Sequence, residues 1–240
     1  MPADARGLWV ALETTGRRSF IAVGQTDSPD LVESFEPSRR NAVDLIPQLA
    51  RVFDRLGRSP QEITTLAISS GPGSFTGLRI GFATAQALVL ATGAKAVVVP
   101  TTQVLASTAP PEARRIGVVL NTKGSSGYIA IYERAGDDLH EIQPPGTRDA
   151  SDVLASEPDG SHWLAQKLPE AVIDLGRTRG VRWLLGDEAV CSAEAVYRLG
   201  RAAADRGHFS DPGTLVPEYG REPEAVTLWR KRQAEQTPGR

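Results

Sequence analysis

The feature that most constrains the fold is a glycine-rich segment, Ser69 to Gly81, which joins a predicted strand to a predicted helix. Such junctions bind phosphates in many folds, because the unpaired N–H groups of the helix N-terminus face the ligand. This segment lacks the Gly-Lys-Ser/Thr ending of a P-loop, and Thr76 stands where a dinucleotide fingerprint needs its third glycine. Both standard nucleotide patterns are therefore excluded, and the glycines need another explanation.

The helix after this segment is predicted to span residues 76–91, with Thr76 as its N-cap and Phe75 packing on Ile80 as a hydrophobic staple. It carries a ridge of small residues at every fourth position: Gly77, Gly81 and Ala85. A glycine inside a helix costs about 1 kcal/mol relative to alanine, so the ridge predicts close approach of another backbone. That backbone belongs either to the same domain or to another subunit, and the spacing leaves both open.

The rest of the chain has the pattern of a mixed α/β protein with two lobes. The first lobe, residues 1–105, is predicted to contain three N-terminal strands and a helix over 41–56 with its apolar residues on one face. The second lobe, residues 106–240, is predicted to contain strands 116–120, 128–132 and 181–185 and a helix over 193–204. Residues 144–161, rich in Pro, Asp, Ser and Gly, predict a loop. Three strands followed by alternating helices and strands predict a mixed sheet flanked by helices, and the second lobe is predicted to be the smaller one.

Composition narrows the classes of function. The chain has 240 residues and a net charge of -2, which argues against a basic face that binds RNA without help. Cys191 is the only cysteine, so a cysteine metal cluster is excluded and an inert packing role is predicted. His140, His162 and His208 lie too far apart for a helical metal pair, and each is predicted at the surface or in a loop. No segment approaches the roughly 20 apolar residues of a membrane helix, so we expect a cytoplasmic protein. We expect neither a metal site nor catalytic residues.

The eleven residues from Gly71 to Gly81 closely resemble the signature of the TsaB family of tRNA threonylcarbamoyladenosine biosynthesis proteins. Three shorter pieces support the resemblance: Glu13-Thr14-Thr15, Leu45-Ile46-Pro47 and Pro217-Glu-Tyr-Gly-Arg221. The resemblance implies a two-lobed fold of the actin/Hsp70/sugar-kinase type, which is ribonuclease H-like. It also implies a non-catalytic subunit that binds and stabilises a TsaD-type catalytic partner.

The resemblance has further implications for partners. A TsaE-type ATPase is expected as a third component, tRNA is reached only through the complex, and ATP or ADP is expected at the level of the complex. Some family members also self-associate through the same surface when the partner is absent, so both a homodimer and a monomer are open for the chain alone. The contact is expected on helices 41–56 and 76–91, although some of these side chains must face their own sheet. The candidate partner-binding residues are Leu45, Leu49, Phe53, Gly77, Arg79, Gly81, Ala83 and Gln86.

The chain departs from the family pattern at three places. Glu13 stands where the turn after the first strand usually carries Asp. Arg40-Asn41 stands near the position where relatives often have His-Ser. The predicted second-lobe loop, Asn121 to Gly127, has lost an acid of the family motif, although Lys123 and the following Tyr128 are kept. The role of that loop in this chain is therefore left open.

Two other functions are open. In an actin-like or kinase-like enzyme with weak ATPase activity, the turn after the first strand forms half of a nucleotide site, and Asp187 is the second acid. That turn contains Glu13, Thr14, Thr15 and Gly16. In an RNA-binding protein, a basic tail supplies phosphate contacts and one aromatic ring for stacking. The tail residues are Arg221, Trp229, Arg230, Lys231 and Arg232.

Overall fold

A computed structural model describes residues 7–36 and 42–220, so Arg40-Asn41 and the basic tail from Arg221 lie outside the described residues. The first sheet contains β1 (Leu8–Glu13), β2 (Ser19–Gly24), β3 (Leu31–Phe35), β4 (Ile63–Ser69) and β5 (Lys95–Val99). Their order across the sheet is β3-β2-β1-β4-β5. Strand β2 is antiparallel to β1, whereas β4 is parallel to it. The three predicted N-terminal strands are thereby confirmed.

The second sheet repeats this arrangement. It contains β6 (Arg115–Lys123), β7 (Ser126–Ala135), β8 (Asp138–Asp149), β9 (His162–Ala165) and β10 (Arg182–Leu185). From β8 to β10 the order is β8-β7-β6-β9-β10, with β7 antiparallel to β6 and β9 parallel to it. Each sheet therefore has a central strand with an antiparallel hairpin on one side and two parallel strands on the other. The two lobes are copies of one topology.

The helices form three layers around the two sheets. They are α1 (Ala42–Leu56), α2 (Phe75–Thr92), α3 (Thr101–Ser107), α4 (Ala150–Ser156), α5 (Glu170–Thr178) and α6 (Ala193–Asp205). Helices α1 and α2 cover the outer face of the first sheet, and α4 and α5 cover the outer face of the second. Helices α3 and α6 lie between the sheets, where Trp9, Val104, Tyr132 and Tyr197 share one apolar core. The lobes are thus joined by a common core.

Helix α6 belongs to the first lobe in space although it follows the second sheet in sequence. Gly200 packs so closely on the first sheet that an added Cβ would lie 2.6 Å from Cβ of Ala67. The Tyr197 hydroxyl donates a hydrogen bond to the carbonyl of Thr26 at 2.8 Å. The helix that covers the inner face of the first sheet therefore comes from beyond the predicted division at residues 105 and 106.

The predicted loop over residues 144–161 is wrong, because β8 and α4 occupy most of it. Strand β8 lies at the edge of its sheet, where Pro144 and Pro145 are tolerated because an edge strand needs fewer backbone donors. Asp149 then caps α4 by accepting a hydrogen bond from the backbone N–H of Ser151 at 2.8 Å. Strand β9 and helix α5 fall where no element was predicted.

Helix α2 begins one residue earlier than predicted. Its N-cap is Ser74, whose hydroxyl accepts a hydrogen bond from the backbone N–H of Gly77 at 3.2 Å, so Thr76 is not the cap. Phe75 is the first helical residue and stacks on Tyr219, with 4.9 Å between the ring centroids. Among the described helices, α2 alone is long and apolar enough to cross a membrane, but its Leu78 and Phe82 are buried in the core beneath the first sheet.

Candidate functional site

The carboxyl ends of the parallel strands β1, β4 and β5 meet at one edge of the first sheet. Glu13, Ser69 and Val99 end these strands, and the glycine-rich segment follows Ser69 directly. Ligands of open α/β sheets bind outside this edge, in the crevice beyond the strand ends. This strand-end crevice is therefore the place to test the nucleotide hypothesis.

Glu13 is fully buried and bound to its own turn. Its Oε1 atom accepts hydrogen bonds from the backbone N–H of Thr15, at 2.6 Å, and from the Thr15 hydroxyl. Burial raises the pKa of Glu13, and the neighbouring hydroxyls of Ser69 and Thr15 lower it in part. Oε2 of Glu13 and Oγ of Ser69 have no hydrogen-bond partner among residues 7–36 and 42–220. Glu13 is therefore engaged within the chain, and its burial disfavours the charged form that a metal ion would require.

The glycine-rich segment packs directly on the turn after β1. The backbone N–H of Ser74 donates to the carbonyl of Thr15 at 2.7 Å. Side chains added at Gly73, Gly77 or Gly81 would overlap Thr14 or Thr15. The close approach that the ridge predicts is therefore made within the domain, and Gly77 and Gly81 are buried there instead of facing a partner. This corrects their assignment as partner-binding residues.

The packing leaves little room for a phosphate beside this turn. A cavity of about 10 Å³, roughly the space of one water molecule, is lined by Thr14, Gly16, Ser19 and Ser74 among others. Thr14 and Thr15 are buried, and Gly16 is half-buried. Asp187 lies exposed in a short 3-10 helix, Gly186–Glu188, after the end of β10. The four residues of the predicted half-site are therefore together, but their polar groups are turned towards the chain itself.

Cys191 lies behind the same crevice. Its thiol is buried, and Sγ is 4.0 Å from the carbonyl oxygen of Thr101. Burial raises the pKa of the Cys191 thiol well above its ordinary value. A thiol in such surroundings is mostly protonated and unreactive, in line with the predicted packing role.

The three histidines lie on different elements: His140 on β8, His162 on β9 and His208 after α6. His140 and His208 are exposed, as predicted. His162 is buried in β9, so its predicted surface position is wrong, and burial lowers its pKa, as does the charge of Arg182 to a lesser extent. Within the described ranges, no group of three His, Cys, Asp or Glu side chains has metal-binding geometry.

The predicted second-lobe loop is mostly strand. Strand β6 continues to Lys123 and β7 begins at Ser126, so only Gly124 and Ser125 form the turn. The Ser125 hydroxyl donates to the carboxylate of Asp149 at the start of α4. Tyr128 is buried, and its hydroxyl donates to the carboxylate of Glu218. The retained tyrosine is therefore part of an internal contact with the C-terminal segment.

A larger groove of about 910 Å³ lies between α3, the β7–β8 turn and α6. One of the arginines that line it, Arg134, already donates hydrogen bonds to the carbonyls of Ala106 and Pro110, each at 3.1 Å. Burial lowers the pKa of Arg134, as does the nearby charge of Arg198. Asp137 and Asp138 line the same groove, so its charges are mixed. None of the predicted site residues lies in it.

Helix α1, the first of the two predicted partner-binding helices, exposes a different face to solvent from the one predicted. Leu45, Leu49 and Phe53 are 1%, 4% and 3% exposed and pack in the core beneath the first sheet. They are therefore not available to a partner, which corrects that prediction. Ile46, a large apolar side chain of α1, is instead exposed at 52%. Sequence periodicity identified the stripe correctly but assigned it to the wrong contact, because a core stripe and an interface stripe have the same spacing.

Helix α2 presents an exposed stripe at helical spacing. Phe75 is 48% exposed and Leu90 is 80% exposed, and small or basic residues lie between them. Between them, the exposed residues Arg79, Ala83 and Ala87 follow at every fourth position. The guanidinium of Arg79 lies over the ring of Phe75, 5.4 Å from its centroid. The structure thus places the predicted Arg79 and Ala83 on this face, whereas Gln86 is half-buried and donates to the carbonyl of Leu215 at 2.8 Å.

Two sheets of identical strand order around a shared helical layer define a protein of the actin/Hsp70/sugar-kinase class, as predicted. The chain belongs to the family whose model is described as TsaD, tRNA N6-adenosine threonylcarbamoyltransferase, which matches residues 36–180, more than half of its length. It is 22% identical over 237 residues to the tRNA threonylcarbamoyladenosine biosynthesis protein TsaB of Bacillus subtilis (strain 168), covering 93% of this chain and 98% of that protein. These relatives confirm the predicted TsaB assignment.

Further similarities agree with it. The chain is 32% identical over 98 residues to the protein of the same name from Escherichia coli (strain K12), covering 40% of this chain and 42% of that protein. A solved structure described as YeaZ from Pseudomonas aeruginosa superposes with a TM-score of 0.72 at 21% identity, covering 89% of this chain and 99% of that one. A second P. aeruginosa structure, described as an uncharacterized protein with similarity to peptidase YeaZ, also has a TM-score of 0.72, at 20% identity, covering 90% and 100%. Both have the fold of this chain.

Proposed function

We propose that the chain is a non-catalytic, TsaB-type subunit of the bacterial machinery that adds threonylcarbamoyl to an adenosine of tRNA. It binds a TsaD-type catalytic subunit and stabilises the active conformation of that partner, so that binding energy shifts the partner's population. A TsaE-type ATPase and the tRNA join through the complex, and the cytoplasm is the compartment. The names of the curated relatives and of the matching family support this assignment.

The observation that carries the partner contact is the exposed face of α1 and α2. Ile46, Phe75 and Leu90 are large apolar side chains at the surface, and Ala83 and Ala87 make the face of α2 smooth. Helix α2 is apolar on the side that packs on the sheet and apolar on the opposite side as well. Such a helix is usually covered on both sides, and an exposed apolar face marks an interaction site.

The non-catalytic role is supported by the polar groups of the turn after β1, which contact the chain itself and do not face the crevice. Glu13, Thr14 and Thr15 are enclosed by the glycine-rich segment, and Glu13 is bound to Thr15. A phosphoryl-transfer site needs its acids and its backbone donors to face the substrate. The weak ATPase alternative would require this packing to open.

The same face explains the expected self-association. Helices α1 and α2 lie side by side on the first sheet, so a second copy covers both through a symmetric contact. The homodimer and the complex with the TsaD-type subunit therefore compete for one surface. We expect the partner to displace the second copy.

A matched pair of substitutions tests the proposed face. Ala83→Glu places a carboxylate at the centre of the exposed stripe of α2, whereas Ala171→Glu places one on an exposed position of α5 in the other lobe. A charge buried at an apolar contact without a partner weakens binding by roughly tenfold or more. Titration calorimetry with the TsaD-type protein of the same organism should show this loss for Ala83→Glu and wild-type affinity for Ala171→Glu. A folded Ala83→Glu variant with wild-type affinity would move the interface elsewhere.

A further inference from the structure

The last described segment of the chain, residues 215–220, crosses from one lobe to the other at the strand-end crevice. It follows the short 3-10 helix Pro212–Thr214 and contacts α2 first, the glycine-rich segment next and the second sheet last. Its Tyr219 stacks on Phe75 of the exposed face of α2, with 4.9 Å between the ring centroids. We refer to residues 215–220 as the C-terminal clasp.

The contacts of the clasp with the first lobe are close and specific. Leu215 is buried in the core beneath the first sheet, and its carbonyl accepts a hydrogen bond from Gln86 at 2.8 Å. The backbone N–H of Glu218 donates to the carbonyl of Ser70 at 2.7 Å. The carbonyl of Glu218 lies so near Gly71 that any side chain there would overlap it. The clasp therefore covers the start of the glycine-rich segment at van der Waals distance.

The contacts with the second lobe begin at the same residue. The Glu218 carboxylate accepts a hydrogen bond from the Tyr128 hydroxyl, and burial together with this carboxylate raises the pKa of Tyr128. The carbonyl of Gly220 accepts a hydrogen bond from the Thr147 hydroxyl at 3.2 Å. Tyr128 is paired with Leu120 in the sheet, close to the carboxyl end of β6. The clasp thus reaches the strand ends of both lobes.

We propose that the C-terminal clasp is an intramolecular occupant of the crevice, which ties the two lobes together and keeps the glycine-rich segment from any external ligand. The crevice is then closed while the clasp is docked and opens only when residues 215–220 detach. The fold class normally binds ligands beyond these strand ends, and here the chain's own backbone takes that position. The proposal goes beyond the partner-binding role and holds or fails independently of it.

Cys191 provides a built-in probe for this closure. It is the only cysteine of the chain, and its thiol lies beside Thr101. The hydroxyl of Thr101 accepts a hydrogen bond from the backbone N–H of Gly71 at 2.9 Å, directly beneath the clasp. The rate at which 5,5′-dithiobis(2-nitrobenzoate) modifies Cys191 in the full-length native protein therefore reports how often this region opens.

Two glycines with the same backbone geometry give a matched comparison. Gly220 and Gly136 both have a φ of 65°, so alanine strains the backbone equally at either position. A Cβ at Gly220 would lie 2.6 Å from Cβ of Pro72, whereas a Cβ at Gly136 would meet nothing within 4 Å. We expect Gly220→Ala to raise the modification rate of Cys191 about tenfold or more, and Gly136→Ala to leave it unchanged.

Urea unfolding of each variant separates local opening from global instability. The proposal is supported only if the modification rate of Cys191 rises by more than the loss in free energy of unfolding would itself cause. Equal rates in folded Gly220→Ala and Gly136→Ala proteins would overturn it. Tyr128→Phe, which removes the bond to Glu218 without adding bulk, is the second variant and should also increase the rate. If Gly220→Ala does not fold, a wild-type rate in folded Tyr128→Phe overturns the proposal.

Discussion

Glu13 is a carboxyl group enclosed at the end of a central strand, and its protonation is linked to the stability of the fold. Because burial raises its pKa, the folded protein holds the proton more tightly than the unfolded chain does. The stability that this group contributes is therefore fully present below the unfolded pKa, near 4.5, and is lost as the pH rises through the folded pKa. At neutral pH, the buried carboxyl group of Glu13 therefore no longer contributes this stability to the fold.

Glu13→Gln should consequently stabilise the protein at neutral pH. The amide keeps an oxygen that accepts from Thr15 and supplies an N–H donor for the orphan hydroxyl of Ser69, but it does not ionise. We expect a higher free energy of unfolding than wild type at about pH 7.5, and a difference that decreases towards pH 4.5. Urea titrations at several pH values measure this. A less stable Glu13→Gln protein at neutral pH would show that a carboxylate is required, whereas Glu112→Gln, at an exposed position, is the neutral control.

The helices α1 and α2 divide their faces between the core and the proposed partner. In α1 the division is sharp, because Leu49 is buried beneath the first sheet and Ile46 is half exposed. In α2 it is less evident from the sequence, because apolar residues occur all around the helix. Each of these helices therefore contributes to core packing with one face and to the proposed partner contact with another. Single substitutions on the two faces should affect stability and binding separately.

Leu49→Ala and Ile46→Ala form such a pair. Removing the buried leucine side chain leaves a cavity, so we expect the free energy of unfolding to fall by about 2–5 kcal/mol. Removing the exposed isoleucine should change stability by less than about 0.5 kcal/mol but weaken the complex with the TsaD-type subunit. Urea unfolding and calorimetric binding measure the two effects. Equal stability losses in both variants would contradict the assigned faces.

Local sequence patterns predicted some elements correctly, but they gave the wrong contact, the wrong cap or the wrong element at others, each for a physical reason. The apolar spacing of α1 gave the helix and its single stripe, but Leu45 and Phe53 face the core because periodicity does not say what lies opposite. Ser74 and Thr76 are both good capping residues, and only the backbone geometry at Ser74 decides between them. Pro144 and Pro145 suggested a loop, although an edge strand accommodates them.

The whole molecule depends on contacts between parts of the chain that are far apart in sequence. Helix α6 returns to cover the first sheet, and the clasp returns to the glycine-rich segment after more than a hundred residues. No local pattern predicts these returns, because they depend on the packing of completed sheets. The two lobes were predicted from the pattern of strands and helices, and the actin/Hsp70/sugar-kinase class was predicted from the resemblance carried by Gly71 to Gly81. The duplicated strand order became visible only in the structure.

The central claim is that the chain acts by holding a catalytic partner, and the molar mass of the co-purified complex tests it most directly. The chain is co-expressed with the TsaD-type protein of the same organism and analysed by size-exclusion chromatography with light scattering, with and without ATP. The account predicts a stable one-to-one complex, and twice the monomer mass for the chain alone. Absence of any complex under these conditions, with both proteins folded, would contradict the account.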